Sequence, residues 1–122
     1  MPSDYVRMAE ETEFFIVEHG GSAAGFFNVR RHGPAKAEIP LIYFDPERRG
    51  KGLGRWSIDF LRSWLHTHWP EVKTLFLDTI IPDYNGGFYE RTGFLRTSET
   101  SCELSGTPVP AARFEMALES ES

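Results

Sequence analysis

The 122-residue sequence predicts a mixed α/β fold of the α+β kind. Two runs of strand-forming residues around a Gly-Gly turn open the chain, and a long amphipathic helix sits at its centre. Further strand-like runs follow that helix. Hairpins make antiparallel pairs, whereas a strand–helix–strand passage lays its two strands parallel. The expected sheet is therefore mixed.

Each element has a local reason. Phe14-Phe15-Ile16-Val17 is short, apolar and rich in strand formers, and His19-Gly20-Gly21-Ser22 follows as a turn. Ala23 to Arg31 places Phe27, Val29 and Arg31 on one side. Together these runs read as a hairpin. Arg31-His32-Gly33-Pro34 breaks the chain, and Ala37 to Phe44 reads as a third strand. Pro40 inside that strand removes a ladder donor and marks an edge or a bulge. Residues 45–54, DPERRGKGLG, make a glycine-rich loop. A helix follows from about Leu53 to Trp69, with Leu53, Trp56, Phe60, Leu61, Trp64 and Leu65 recurring at helical spacing. Pro70 ends it. Leu75-Phe76-Leu77 opens the next strand, and Pro82 and Asn85-Gly86-Gly87 interrupt the chain. Phe88 to Arg91 reads as a short helix closed by Gly93. Runs at about 94–104 and 112–118 read as strands flanking Ser105-Gly106-Thr107-Pro108. The acidic start, with Glu10, Glu11 and Glu13, is expected to fray.

Composition narrows the class. The length suits one domain, residues 1–122. Hydrophobic residues make up 40% and charged residues 25%, a globular balance that argues against disorder. A net charge of −5 disfavours general binding to nucleic-acid phosphates. Cys102 is the single cysteine, which excludes an internal disulfide framework and a Cys-rich zinc site. His66 and His68 lie two apart near a helix end, where they do not face each other, so no metal site is expected. No apolar run approaches the ~18 residues of a membrane helix. The start, MPSDYVRMAEETE, lacks the pattern of a signal peptide, and a cytoplasmic location is expected.

The loop Arg49-Gly50-Lys51-Gly52-Leu53-Gly54 carries the strongest chemical signal. It joins a strand to a helix, where glycines allow close backbone approach and free N–H groups favour an anion. Arg48, Arg49 and Lys51 add positive charge. A phosphate or pyrophosphate site is expected. The spacing fits neither common nucleotide loop. Arg55 stands where a dinucleotide fingerprint needs a small residue, and Gly52 follows Gly50-Lys51 where a P-loop needs Ser or Thr.

The stretch from Tyr43 to Gly54 resembles the acyl-CoA-binding motif of the GNAT superfamily of N-acetyltransferases, with Arg49, Gly52 and Gly54 matching its spaced positions. A second stretch, Phe88-Tyr89-Glu90-Arg91-Thr92-Gly93-Phe94, is similar to the family's later Tyr-x-x-x-Gly-Phe motif and lies about 35 residues further on. The resemblance runs from about residue 12 to 118. It implies a mostly antiparallel sheet with a central parallel strand pair splayed around an acyl-CoA site. It implies acetyl-CoA as co-substrate, no metal, and transfer to a primary amine by direct attack in a ternary complex. The acceptor would be a small molecule or a peptide, with neither nucleic acid nor membrane as partner.

The resemblance also assigns residues. Arg48, Arg49, Gly50, Lys51, Gly52, Leu53 and Gly54 would hold the cofactor phosphates, and the backbone of Tyr43 and Phe44 the pantetheine arm. Tyr89 would protonate the departing thiolate, since an unperturbed phenol (pKa ~10) is a weaker acid than a thiol (~8.5). Glu38 is the first candidate for the base and Asp78 the second, with plain solvated carboxylates or a water chain as alternatives. Family members carry an Asn further ahead of the tyrosine. Here Pro82 interrupts that region, and Asn85, four positions ahead of Tyr89, is the candidate for contact with the pantetheine. Much of the family's opening strand–helix–helix segment is expected to lack a counterpart ahead of the first strand. A non-catalytic acyl-CoA-binding subunit and a truncated enzyme are the rival readings. A homodimer through an exposed sheet edge is also expected.

Overall fold

The computed structural model describes residues 12–48, 52–80 and 86–118. Seven strands form one sheet: β1 (Thr12–His19), β2 (Ser22–His32), β3 (Lys36–Glu38), β4 (Ile42–Phe44), β5 (Thr74–Ile80), β6 (Leu95–Leu104) and β7 (Thr107–Ala117). The strand order is β1-β2-β3-β5-β7-β6, and β4 also pairs with β2. Helix α1 (Leu53–His68) crosses between β4 and β5, and the short helix α2 (Gly86–Arg91) precedes β6. The β3–β5 pair is parallel and the other pairs are antiparallel, as expected of a sheet with one helical crossover.

The β1–β2 and β6–β7 hairpins each turn on two residues of positive φ. These are Gly20 (66°) and Gly21 (85°) between β1 and β2, and Ser105 (53°) and Gly106 (80°) between β6 and β7. Two left-handed central residues give the turn whose twist matches its strands. Strand β7 starts at Thr107, earlier than the expected residue 112. Its ladder with β5 ends at Ile80↔Ala111, so Pro108 and Pro110 face only β6. A residue without an N–H is tolerated where one side of the strand is unpaired.

The expected third strand is broken in two. Pro40 falls between β3 and β4 and can donate to neither neighbour. Ile39 N still donates to Phe76 O (2.9 Å), and Asn28 N donates to Leu41 O (3.0 Å), which brackets the break.

Both helices lie on one face of the sheet. Ile58, Leu61 and Leu65 of α1 and Tyr89 of α2 pack with Val29, Ala37, Leu75, Leu77, Phe94 and Phe114 in one buried cluster. The opposite face has no helix over it among the described residues. Phe14, Phe26, Tyr43, Glu38, Phe76, Asp78 and Arg113 belong to that face, since side chains alternate along a strand and directly paired residues share a side.

Candidate active site

The site begins where two strands part. β3 and β5 pair over three rungs, Lys36↔Thr74, Ala37↔Leu75 and Glu38↔Phe76. Past Pro40 the chain continues as β4 along β2, through Phe27↔Ile42, Phe26↔Tyr43 and Gly25↔Phe44. Meanwhile β5 continues along β7 as far as Ile80. The parallel pair thus opens into a wedge, and β4 turns backbone donors and acceptors toward it. Gly25 permits this path. A Cβ there would stand 2.4 Å from Tyr43 O and 2.6 Å from the Phe44 ring, so only glycine lets β4 lie so close to β2.

A cleft of about 450 Å³ lies beside β4, lined by Ile42, Tyr43, Phe44, Arg48, Gly52, Leu53, Gly54, Arg55, Phe88, Tyr89 and Arg91. This volume suits a cofactor-sized ligand arm. The N-terminus of α1 opens into it. Gly52 precedes the helix in the left-handed region (φ 77°), and as the N-cap residue it gives the first turn no side-chain hydrogen bond. Uncapped N–H groups and the helix dipole make that end attractive to an anion. Gly54 brings α1 against α2, because a Cβ there would lie 2.6 Å from the Phe88 ring. Arg55 donates to Arg91 O (3.3 Å) and ties the two helices together. Arg48 is fixed by His19 O (2.6 Å) and by the Ser22 hydroxyl, with Asp45 nearby at 3.8 Å. These oxygens hold the guanidinium at the cleft wall.

Tyr89 closes the inner wall. It is 8% exposed and stands among the rings of Phe88 (5.2 Å), Phe94 (6.0 Å) and Phe114 (5.6 Å). Burial pushes its phenol above the ordinary pKa of 10.0, because the phenolate would lose its hydration. The hydroxyl therefore keeps its proton at neutral pH. Phe94 N donates to Tyr89 O (3.0 Å), the Thr92 hydroxyl donates to the same oxygen (2.9 Å), and Gly93 turns with φ 111°. This closed helix end locks the ring's backbone in place.

The model of the acetyltransferase (GNAT) family matches residues 2–94. The chain belongs to the GNAT acetyltransferase family. The fold agrees. A GNAT acetyltransferase from Elizabethkingia anophelis, solved with acetyl-CoA bound, superposes with a TM-score of 0.74 at 13% identity, over 97% of this chain and 84% of that one. The ribosomal-protein-S18-alanine N-acetyltransferase of Escherichia coli gives 0.74 at 20% identity, over 98% and 77%. Ard1 from Thermoplasma volcanium gives 0.77 at 22%, over 96% and 77%. No curated protein matches the chain by sequence.

Within this GNAT domain, the expected site residues Tyr43, Phe44, Arg48, Gly52, Leu53, Gly54 and Tyr89 share the one cleft. Arg49, Gly50, Lys51 and Asn85 lie outside the described residues. Glu38 is not part of the cleft wall. It stands at the last parallel rung on the open face, and its carboxylate accepts from Arg30 (2.8 Å) and contacts His32 Nε2 (2.7 Å). Asp78 takes a two-pronged pair from Arg113, at 2.8 and 3.0 Å, whose guanidinium also lies 4.5 Å over the Phe76 ring. Arg55, Arg91, Ile42 and Phe88 complete the wall and were not among the expected site residues. Arg55 had a readable signal, a basic residue in the first turn of the helix after the glycine loop. Arg91 needed the fold, because only the α1–α2 contact brings it to the cleft.

Proposed function

We propose that this GNAT domain is an acetyl-CoA-dependent N-acetyltransferase that passes the acetyl group to a primary amine by direct attack in a ternary complex. One observation carries the reading. The strand β4, the N-terminus of α1 and Tyr89 line a single cleft. The acetyl-CoA bound by the Elizabethkingia relative supports the choice of co-substrate.

Acetyl-CoA supplies an acyl group activated as a thioester. The N–H groups at the start of α1 hold its pyrophosphate, with Arg48 beside them. Arg49, Gly50, Lys51 and Asn85 are proposed to extend this hold. The backbone of Tyr43 and Phe44 pairs with the amide groups of the pantetheine arm, as another strand would. A β4 N–H near Phe44 polarises the acetyl carbonyl, a contact that strengthens as negative charge grows on its oxygen. The amine nitrogen forms the new C–N bond while the C–S bond breaks. Tyr89 gives its proton to the departing thiolate sulfur. The proton lost by the amine passes to Glu38, through water, on the open face. Alignment of the two substrates supplies much of the rate.

Tyr89→Phe tests the acid assignment. It removes the proton donor and leaves the ring packing intact. Turnover is expected to fall by about 10²-fold, the lower end for a lost general acid, with acetyl-CoA affinity nearly unchanged. Unaltered turnover would overturn the role of Tyr89. A chain that binds acetyl-CoA and acetylates no amine would be the non-catalytic subunit instead.

A further inference from the structure

The face opposite the helices carries a line of aromatic rings that leads to the cleft. Phe14 stacks on Phe26 (5.6 Å), and Phe26 lies 5.7 Å from Tyr43, which lines the cleft. Phe14 is 56% exposed, Ile16 64% and Tyr43 49%. Continuity with the cleft makes this exposed apolar row a candidate extension of its wall. The row is small. Three or four such side chains, about half uncovered, offer of order 300 Å², against ~800 Å² per partner in a stable protein interface. The area suits a small molecule better than a second copy of the chain.

The charges beside the row are matched. Glu38 is held by Arg30 and His32, and Asp78 by Arg113, whose field Glu115 also shares. Among the described residues, no block of unopposed carboxylates faces the wedge to attract a polycation. The uncharged surface continuous with the cleft is aromatic.

We infer that the acceptor is an amine bearing an aromatic or branched apolar group, which Phe14, Ile16, Phe26 and Tyr43 bind while the amine reaches the wedge. This rests on the acetyl-transfer reading above and names the acceptor class it leaves open. Phe14 and Ile16 are then specificity residues that touch the substrate's apolar end and none of the reacting atoms.

The test measures thiol release from acetyl-CoA with 2-phenylethylamine, isoamylamine, ethanolamine and spermidine. Calorimetric titration with acetyl-CoA runs alongside on the same full-length chain. The two apolar amines are expected to exceed spermidine and ethanolamine at least tenfold in kcat/KM. Phe14→Ala should raise KM for 2-phenylethylamine about tenfold, with kcat and the KM for acetyl-CoA kept, and Phe14→Leu should restore most of the loss. Phe14 is exposed on an edge strand, so both variants are expected to fold. Preference for spermidine overturns the inference. So does acetyl-CoA binding with neither apolar amine acetylated, or a Phe14→Ala effect equal on all amines. A solution mass of two protomers that Ile16→Glu returns to one would assign the row to a second copy. Contacts from residues 1–11 to Phe14 and Phe26 in the free protein would assign it to the chain's own start. Failure to bind acetyl-CoA at all would instead sink the acetyl-transfer reading.

Discussion

Gly25→Ala is the sharpest test of how the cleft is built. The new Cβ would meet Tyr43 O at 2.4 Å and the Phe44 Cα at 3.0 Å, both of them backbone atoms. A close carbon–oxygen contact needs ~3.3–3.6 Å, so β4 must retreat from β2 by about 1 Å. Overpacking of this kind costs about 1–3 kcal/mol. Weakening one rung of the β2–β4 ladder adds about 1 kcal/mol. Against this, alanine restricts the unfolded chain and returns about 0.4–1 kcal/mol. The net loss spans about 1–4 kcal/mol, with a midpoint of about 2.5 kcal/mol. An unfolding entropy of ~2.1 cal/mol/K per residue over 122 residues turns that into a Tm lower by about 10 °C. Because β4 is the cleft's near wall, acetyl-CoA affinity should fall about tenfold, or ~1.4 kcal/mol. Thermal unfolding followed by circular dichroism, with and without acetyl-CoA, reads both effects. A variant as stable as the parent, with equal affinity, would show that β4 need not lie so close to β2.

Three further outcomes are expected. Burial raises the Tyr89 pKa in the folded state, so its contribution to stability is complete below the unfolded value of ~10 and is lost as pH rises through the folded one. Urea unfolding between pH 8 and 11 should show a steeper alkaline loss in the parent than in Tyr89→Phe, and identical slopes would assign the loss to another group. Arg113→Met removes the partner of Asp78, and since the pair is partly exposed the cost should be about 1–2 kcal/mol. A double-mutant cycle with Asp78→Asn should return a coupling of about 1 kcal/mol, and strict additivity would mean the pair contributes nothing. In Gly54→Ala the methyl group drives the Phe88 ring away from α1. Calorimetry should find acetyl-CoA bound about tenfold more weakly, and an unchanged Kd would detach the α1–α2 contact from cofactor binding.

Much of this domain could be read locally. The Gly20-Gly21 turn, the apolar stripe of α1 and the Gly93 stop each depend on a few neighbouring residues, and each was expected. The two motifs around Gly52-Leu53-Gly54 and Tyr89 named the family and most of the cleft wall for the same reason. Their glycines and their tyrosine act through spacing that the sequence displays. Pro40 announced a disturbance in the third strand, but not that β4 would leave β5 and open a wedge. That outcome depends on which strands pair, and pairing joins residues far apart in the chain.

The same limit applies to the carboxylates. Glu38 and Asp78 were the first and second candidates for the base along the sequence. Tertiary structure gave Glu38 to Arg30 and His32, and Asp78 to Arg113, which is 35 positions away. It also set Phe14, Phe26 and Tyr43 in one row on the face opposite the two described helices. Strand alternation fixes only that neighbouring side chains point oppositely. Which of the two faces receives the helices, and which is left open to solvent, is decided by the crossover of α1 and the packing beneath it.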